Sequence, residues 1–373
     1  MEKRDLFLRK QGHEIYRDIC FDILDSMVDK VKVIDRDRNI IYFNLAMKEA
    51  NKDIAIGRSC YCGSKKGSHC SVCTSLKAMQ ENRVFEKEEI IDGKVYAVKS
   101  SPVKDLKGNI YGAVEVYRDV TKERLLEREI LSKNREMTSD LNFSKVMQNS
   151  ILPKKGQIEN LVVDYFYEAC ENLSGDMFDI FEIDDEHIGL YIADVAGHGV
   201  TTSMTTMFIR QTIRNVASSY IEPKDMLVFL HKEYCGLNLN VEKYFTIFYA
   251  VYNKKTKRLK YSNAGHNAEP ILARGSKIEK LRVSGIPIII LFPDPEYEQK
   301  ETILDSGDRL FLFTDGIIEA KNRYGEQFGM DRLIEEIRKV DQLDEIERIS
   351  TRAKGYAYVK AADDYAIMKI HVL

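Results

Sequence analysis

Three aspartates, far apart in the chain, stand in the same kind of setting. Tyr191-Ile192-Ala193-Asp194-Val195-Ala196-Gly197-His198-Gly199 reads as a strand that runs into Asp194, followed by a glycine-flanked turn carrying His198. Leu310-Phe311-Leu312-Phe313-Thr314 runs into Asp315-Gly316, and Asp363-Asp364 opens the last apolar stretch, Tyr365 to Val372. Carboxylates drawn together from distant segments repel one another unless a cation neutralises them. One shared site is therefore expected, holding a hard divalent ion and performing metal-assisted hydrolysis. Each aspartate alone has a plainer reading: an Asp-Gly pair is commonly a turn, and Asp194 could cap a following helix. Taken together, each following or opening an apolar strand, they point to chemistry.

The elements that must position these residues follow from the apolar pattern. In residues 153–373, strand-like runs cover Leu161 to Tyr167, Phe178 to Ile183, Ile188 to Ala193, Tyr244 to Tyr252, Arg258 to Ser262, Pro270 to Leu272, Arg309 to Phe313 and Tyr365 to Val372. Helical patterns lie between them at Thr201 to Ser218, Pro223 to Tyr234 and Met330 to Lys339. Strands alternating with helix pairs predict an α+β layered sandwich. Residues 1–120 read as a smaller unit, with strands at Val31 to Asp35, Ile40 to Asn44, Val84 to Ile91, Val95 to Ser101 and Tyr111 to Tyr117. Residues 121–152 are charged and lack Gly and Pro before the closing Pro153. Leu126, Ile130, Met137 and Leu141 give that stretch an apolar seam, interrupted by Lys133. The seam fits a dimeric coiled-coil connector or one amphipathic helix lying on a domain.

Two resemblances sharpen this reading. Asp35 to Asn44, Ile56-Gly57, Pro102-Val103 with Gly108, and the closing Arg118-Asp119-Val120-Thr121 resemble a PAS sensor domain, which implies a five-stranded antiparallel sheet with helices and a ligand not specified by the sequence. The second region resembles the metal-dependent type 2C serine/threonine phosphatases, in the bacterial branch typified by the stage II sporulation protein E and stress-response phosphatases. Five ordered blocks carry the match: Ser174 to Asp179, Asp194 to Gly199, Asn263 to Asn267, Gly307 to Gly316 and Asp363 to Tyr365, with Gln148 to Pro153 ahead of them. The resemblance implies an αββα sandwich and two Mn2+ or Mg2+ ions. By family pattern Asp194 bridges both ions, the Val195 carbonyl binds the second, Asp315 and Asp363 hold the first, and Asp176 orients water from the outer shell. Family members often carry Gly at the Val195 position, a change a backbone carbonyl ligand survives. Asp363 is preferred over its neighbour Asp364, since alternation along a strand points adjacent side chains opposite ways. His198 reads either as a general acid or as a turn histidine, and His266 as structural.

The resemblance implies phosphoserine or phosphothreonine hydrolysis on a regulatory protein, of the kind of a STAS-type anti-sigma-factor antagonist, by direct attack of water. A catalytically silent phosphatase fold that only docks a partner is the alternative, and an enzyme acting on small phosphoesters is another. Regulation is expected to act through the segment after Gly199, which would move Asp194 and Val195. Bulk charge gives no pull toward nucleic acid or an anionic membrane: 56 basic residues face 59 acidic ones in 373, for a net charge of −3. No signal-peptide core or membrane-length apolar run is evident, which sets cytoplasm as the expected location. Cys60, Cys62, Cys70 and Cys73 cluster in the first unit, with His69 among them. Such a cluster suits Zn2+, an iron–sulfur cluster, redox chemistry or plain structural thiols. Cys20, Cys170 and Cys235 read as small core residues.

Overall fold

The computed structural model describes residues 19–60, 73–197, 199–239, 242–339, 344–358 and 363–373. The chain divides into two compact units, Met1–Arg135 and Glu136–Leu373. No helix among the described residues is long and apolar enough to cross a membrane.

The first unit contains strands β1 (Lys30–Asp35) and β2 (Ile40–Phe43), helices α1 (Leu45–Ala50) and α2 (Thr74–Glu81), and strands β3 (Phe85–Ile91), β4 (Lys94–Lys104) and β5 (Ile110–Asp119). They form one sheet in the order β2-β1-β5-β4-β3, antiparallel throughout. Asn44 fixes the entry to α1: its side-chain oxygen accepts from Met47 N at 3.0 Å and from Val31 N at 2.9 Å. The interior is not wholly apolar. Lys32 and Glu115 face each other across β1 and β5 and pair at 3.0 Å with both side chains almost fully buried. The Tyr117 hydroxyl donates to Glu115 Oε2 at 2.6 Å, and the Ser75 hydroxyl donates to Oε1. Helix α3 (Thr121–Ser150) starts where the Asp119 carboxylate accepts from Thr121 N and Oγ1, at 3.1 and 2.6 Å. Leu126, Ile130 and Met137 of the apolar seam are exposed, while Gln148 in the last turn is buried.

The second unit is built from β6 (Gly156–Ile158), β7 (Leu161–Glu168), β8 (Asp176–Glu182), β9 (His187–Val195), α4 (Val200–Val216) and α5 (Pro223–Gly236). These are followed by β10 (Phe245–Asn253), β11 (Arg258–Ala264), β12 (Ile271–Arg274), β13 (Lys277–Lys280), β14 (Gln299–Ile303) and β15 (Arg309–Phe313). Helices α6 (Asp315–Glu319), α7 (Gly329–Arg338) and α8 (Glu345–Tyr356) precede the final strand, β16 (Tyr365–Val372). Two sheets result, ordered β14-β11-β10-β9-β8 and β13-β12-β15-β16-β7-β6. Phe178, Ile192, Phe248, Leu310 and Met368 pack between them. The outer face of the first sheet is covered by α4 and α5 through Tyr191, Ile209, Leu230 and Tyr249. The outer face of the second is covered by α6, α7 and α8 through Phe311, Ile317, Leu333 and Ile349. The architecture is thus helix, sheet, sheet, helix. A sheet covered on both faces has no solvent side, which is why β9, β10 and β15 read as continuous apolar runs rather than alternating ones.

Several expectations need correction. The strand expected from Phe178 begins at Asp176, which matters below. Edge strands β13 and β14 carry charged sequences, Lys277-Ile278-Glu279-Lys280 and Gln299-Lys300-Glu301-Thr302-Ile303, and gave no apolar signal; charge is how exposed sheet edges avoid pairing. Helix α6 is only five residues long, and α8 mixes Ser, Thr and Gly into its apolar spacing. Among the cysteines expected in the core, Cys20 is exposed and Cys170 and Cys235 are half-buried. Cys20 lies ahead of the sheet, and Cys170 lies in the loop between β7 and β8, beside Asp364.

Candidate metal centre

Asp176 and Asp194 are direct cross-strand neighbours on β8 and β9, and Thr246 of β10 lies opposite Asp194 on its other side. Both aspartates belong to the five-stranded sheet. Asp315 is the first residue of α6, immediately after β15, and Asp363 lies just before β16, so these two come from the six-stranded sheet. A direct contact ties the halves together at the aspartates: Thr314 Oγ1 donates to Asp176 Oδ2 at 2.6 Å.

Close backbone approach sets the corner. A Cβ on Gly316 would lie 1.9 Å from the Asp364 carbonyl oxygen and 3.5 Å from Asp363 Cβ, so only glycine lets Asp315 stand beside Asp363. A Cβ on Gly175 would lie 2.8 Å from both the Val195 carbonyl oxygen and Thr202 Cγ2. The adjacent aspartates have different occupations. Asp364 is buried; its Oδ1 accepts from Cys170 N at 2.7 Å, and its Oδ2 accepts from Ser174 Oγ and Gly175 N, each at 2.7 Å. Asp363 is exposed, and accepts from its neighbour's amide, Asp364 N, at 2.8 Å.

The electrostatics record the crowding. Burial, then the nearby Asp315, Asp363 and Asp364 carboxylates, push the Asp194 carboxyl up to about 7. Burial and Asp363, with Glu319, raise Asp315. Partial desolvation also raises Asp363, with Asp364 and Glu319 adding to it. Asp176 lies well above the usual carboxylate range through burial and then Asp194 and Asp364. No lysine or arginine among the described residues pairs with any of the five aspartates. Glu319, one helical turn after Asp315, was not anticipated; a second carboxylate at that spacing would have been its signal had so short a helix been recognised.

This donor set fits a hard ion: oxygen ligands, mutual repulsion and no lysine or arginine paired to them among the described residues. No three acidic, His or Cys side chains among the described residues already close on a single point. Uncompensated carboxylates stand apart, and Mg2+ keeps several waters, so few direct protein ligands suffice. Beside the corner lies a cleft of about 310 Å³, lined in part by Asp194, Tyr244, Thr246, His266, Pro287 and Asp315. A larger hollow of about 700 Å³ lies on α8, lined by residues such as Glu347, Arg348 and Arg352, and contains none of the five aspartates of the corner.

His266 is a bridge at this cleft. Its Nε2 donates to the Phe313 carbonyl at 3.0 Å, which leaves Nδ1 to accept from Thr246 Oγ1 at 3.3 Å. Burial brings its pKa down to about 4, so the ring is neutral. It links the end of β15, two residues ahead of Asp315, to Thr246 opposite Asp194, through a side chain whose own role is support. Gln148 is a second support. Its Nε2 donates to the Ser174 carbonyl at 2.8 Å and its Oε1 accepts from Ser174 N at 3.1 Å.

The family model for stage II sporulation protein E (SpoIIE) matches residues 184–373. The chain belongs to the SpoIIE family. Over 207 residues it is 28% identical to phosphoserine phosphatase RsbU of Bacillus subtilis, a match covering 54% of this chain and 60% of RsbU. Over 184 residues it is 27% identical to phosphoserine phosphatase RsbP of the same organism, covering 48% of this chain and 45% of RsbP. The chain therefore spans about half the length of these relatives. The SiaA-PP2C domain of Pseudomonas aeruginosa superposes with a TM-score of 0.56 at 18% identity, covering 65% of this chain and 99% of that domain, which shows the shared fold. Within this SpoIIE-family chain, His198 lies outside the described residues, as do His69, Cys62 and Cys70. Of the cysteine cluster, Cys60 is a buried free thiol and Cys73 a half-buried one.

Proposed function

We propose that this chain is a metal-dependent protein phosphatase that hydrolyses phosphoserine or phosphothreonine on a regulatory protein. The observation that carries the reading is the corner that brings Asp176, Asp194, Asp315 and Asp363 near one another with no lysine or arginine among the described residues paired to any of them. Asp194 would hold both ions, with the Val195 carbonyl on the second and Asp315 and Asp363 on the first. Two Mg2+ or Mn2+ ions bound there supply a nucleophile at neutral pH and neutralise charge on the phosphoryl oxygens. Asp363 is favoured over Asp364 because Asp364 is already taken up by three donors of the Cys170–Gly175 loop. Asp176, held by Thr314, would orient water from the outer shell. The family membership and the phosphoserine phosphatase names of its relatives support the same activity.

The N-terminal unit is proposed to be a PAS sensor, supported by its five-stranded antiparallel sheet, and α3 a connector that pairs with a second copy. Its signal would reach the site through Gln148, which grips the segment leading to Asp176, and through the segment after Gly199. The substrate is proposed to be a small phosphorylated regulator such as an anti-sigma-factor antagonist.

The test is hydrolysis of a phosphoserine peptide by the full chain with Mn2+, with chelator, and with Asp194→Ala. Activity should require the ion, and the variant should lose about a hundredfold or more, since even supporting contacts at metal sites are worth that much. Hydrolysis that survives chelation, or a fully active Asp194→Ala, would overturn the proposal.

A further inference from the structure

The first turn of α4 carries polar groups that the described residues leave unanswered. Gly199 occupies the N-cap position with φ of +90° and offers no capping side chain. The leading amides of a helix have no intrahelical acceptor, and the helix dipole favours negative charge ahead of them. Two side chains enter the same space. Thr202 is 1% exposed, and its hydroxyl makes no hydrogen bond among the described residues. The ammonium of half-buried Lys243 has no acidic or hydrogen-bonding partner among the described residues. A Cβ placed on Gly197 would have Thr202 Oγ1 at 3.6 Å and Lys243 Nζ at 3.9 Å, so both groups converge over the Gly197 backbone.

A buried, unsatisfied hydroxyl is costly, and it is tolerated where a ligand completes it. With an unsatisfied hydroxyl and an ammonium converging over Gly197, just ahead of a helix, the ligand that fits is a tetrahedral oxyanion. The location is also informative. The methyl of Thr202 lies against Gly175 together with the Val195 carbonyl, so the anion pocket adjoins the Asp194-Val195 segment. A corner of carboxylates repels a phosphomonoester dianion, and a lysine at its edge offsets that repulsion.

We infer that Thr202 and Lys243 form a phosphoryl-binding site that holds the phosphate of the substrate, and later the product phosphate, beside the carboxylate corner. The role in substrate binding rests on the phosphatase reading above; the anion site itself does not. The experiment uses the full chain in Mg2+. Binding of inorganic phosphate is titrated by calorimetry, and KM and kcat are measured on a phosphoserine peptide, for wild type, Lys243→Gln, Lys243→Arg and Thr202→Val.

Lys243→Gln should weaken phosphate binding about tenfold, the worth of one charge-assisted hydrogen bond. KM should rise by the same factor with kcat nearly unchanged, because the contact is made in ground and transition states alike. Lys243→Arg should recover most of the loss, and Thr202→Val, which keeps the methyl packing, should weaken phosphate binding several-fold. Wild-type phosphate affinity in both folded Lys243→Gln and Thr202→Val would overturn the inference, even if peptide hydrolysis is normal. If phosphate binding responds as expected but no phosphopeptide is hydrolysed, the anion site stands and the phosphatase reading fails.

Discussion

Replacing Asp194 by asparagine should make the metal-free protein more stable while destroying its response to metal. Carrying the Asp194 carboxyl from its ordinary 3.8 up to about 7 corresponds to roughly 4 kcal/mol set against the anion. The sign follows from proton counts. Below about pH 4 the group is protonated in both folded and unfolded chains, and nothing is lost. Between about 4 and 7 the folded chain keeps a proton that the unfolded chain has released, so stability falls as pH rises. Above about 7 the folded chain carries the anion at full cost. Asparagine is close in shape and carries no charge, but its amide still pays part of the burial cost. The expected gain in chelator at pH 8 is therefore roughly 2–4 kcal/mol, vanishing near pH 4. Urea denaturation at the two pH values, with EDTA and then with saturating Mg2+, reads it directly. Mg2+ should stabilise the wild type, as a ligand of the native state does, and leave Asp194→Asn almost unmoved. A variant no more stable than wild type at pH 8 in EDTA, or equally stabilised at both pH values, would refute the idea of a repulsive corner waiting for a cation.

Asp364→Asn should behave in the opposite way, losing about 2–4 kcal/mol in chelator because an amide NH2 then faces a donor among Cys170 N, Ser174 Oγ and Gly175 N; urea midpoints of the two aspartate variants, measured side by side, check this. Gly316→Ala forces a Cβ to within 1.9 Å of the Asp364 carbonyl, and should cost about 2 kcal/mol or more in thermal or urea unfolding and lower Mg2+ affinity at the same time. His266, neutral and held down to about 4, stabilises the fold fully above the ordinary histidine range and loses that contribution as pH falls from about 6.5 toward 4, up to roughly 3 kcal/mol; His266→Gln should flatten this part of the stability–pH profile, and an unchanged slope would count against it.

The sequence made the carboxylates visible because each one abuts a run of apolar residues long enough to be a strand. It made the layered architecture visible for the same reason: strands buried on both faces cannot hide. What it could not display was partnership across the two sheets. Nothing local in Thr314 says that its hydroxyl meets Asp176, and nothing in Thr246 or Phe313 says that His266 spans them. Asp363 and Asp364 look interchangeable on paper. They differ because one is enclosed by the Cys170–Gly175 loop, a contact made across nearly two hundred residues of chain. Asp176 lies two residues ahead of the strand that the apolar run from Phe178 suggests, yet the pairing with β9 extends through it. The polar edge strands and the five-residue α6 escaped for lack of any apolar period to read.

The Lys32–Glu115 pair in the first unit carries a consequence for how this chain can drift through neutral change. Each partner is sealed from water by the other and by Tyr117 and Ser75. Losing either one alone strands a bare charge in the interior, at a cost of about 3–5 kcal/mol, whereas exchanging both for well-packed apolar residues can cost nothing. Single substitutions therefore face a barrier that a paired exchange does not. Descendants of this chain should keep both residues or replace both, and a homologue carrying only one should show a compensating charge at position 75 or 117, where Ser75 and Tyr117 now face Glu115.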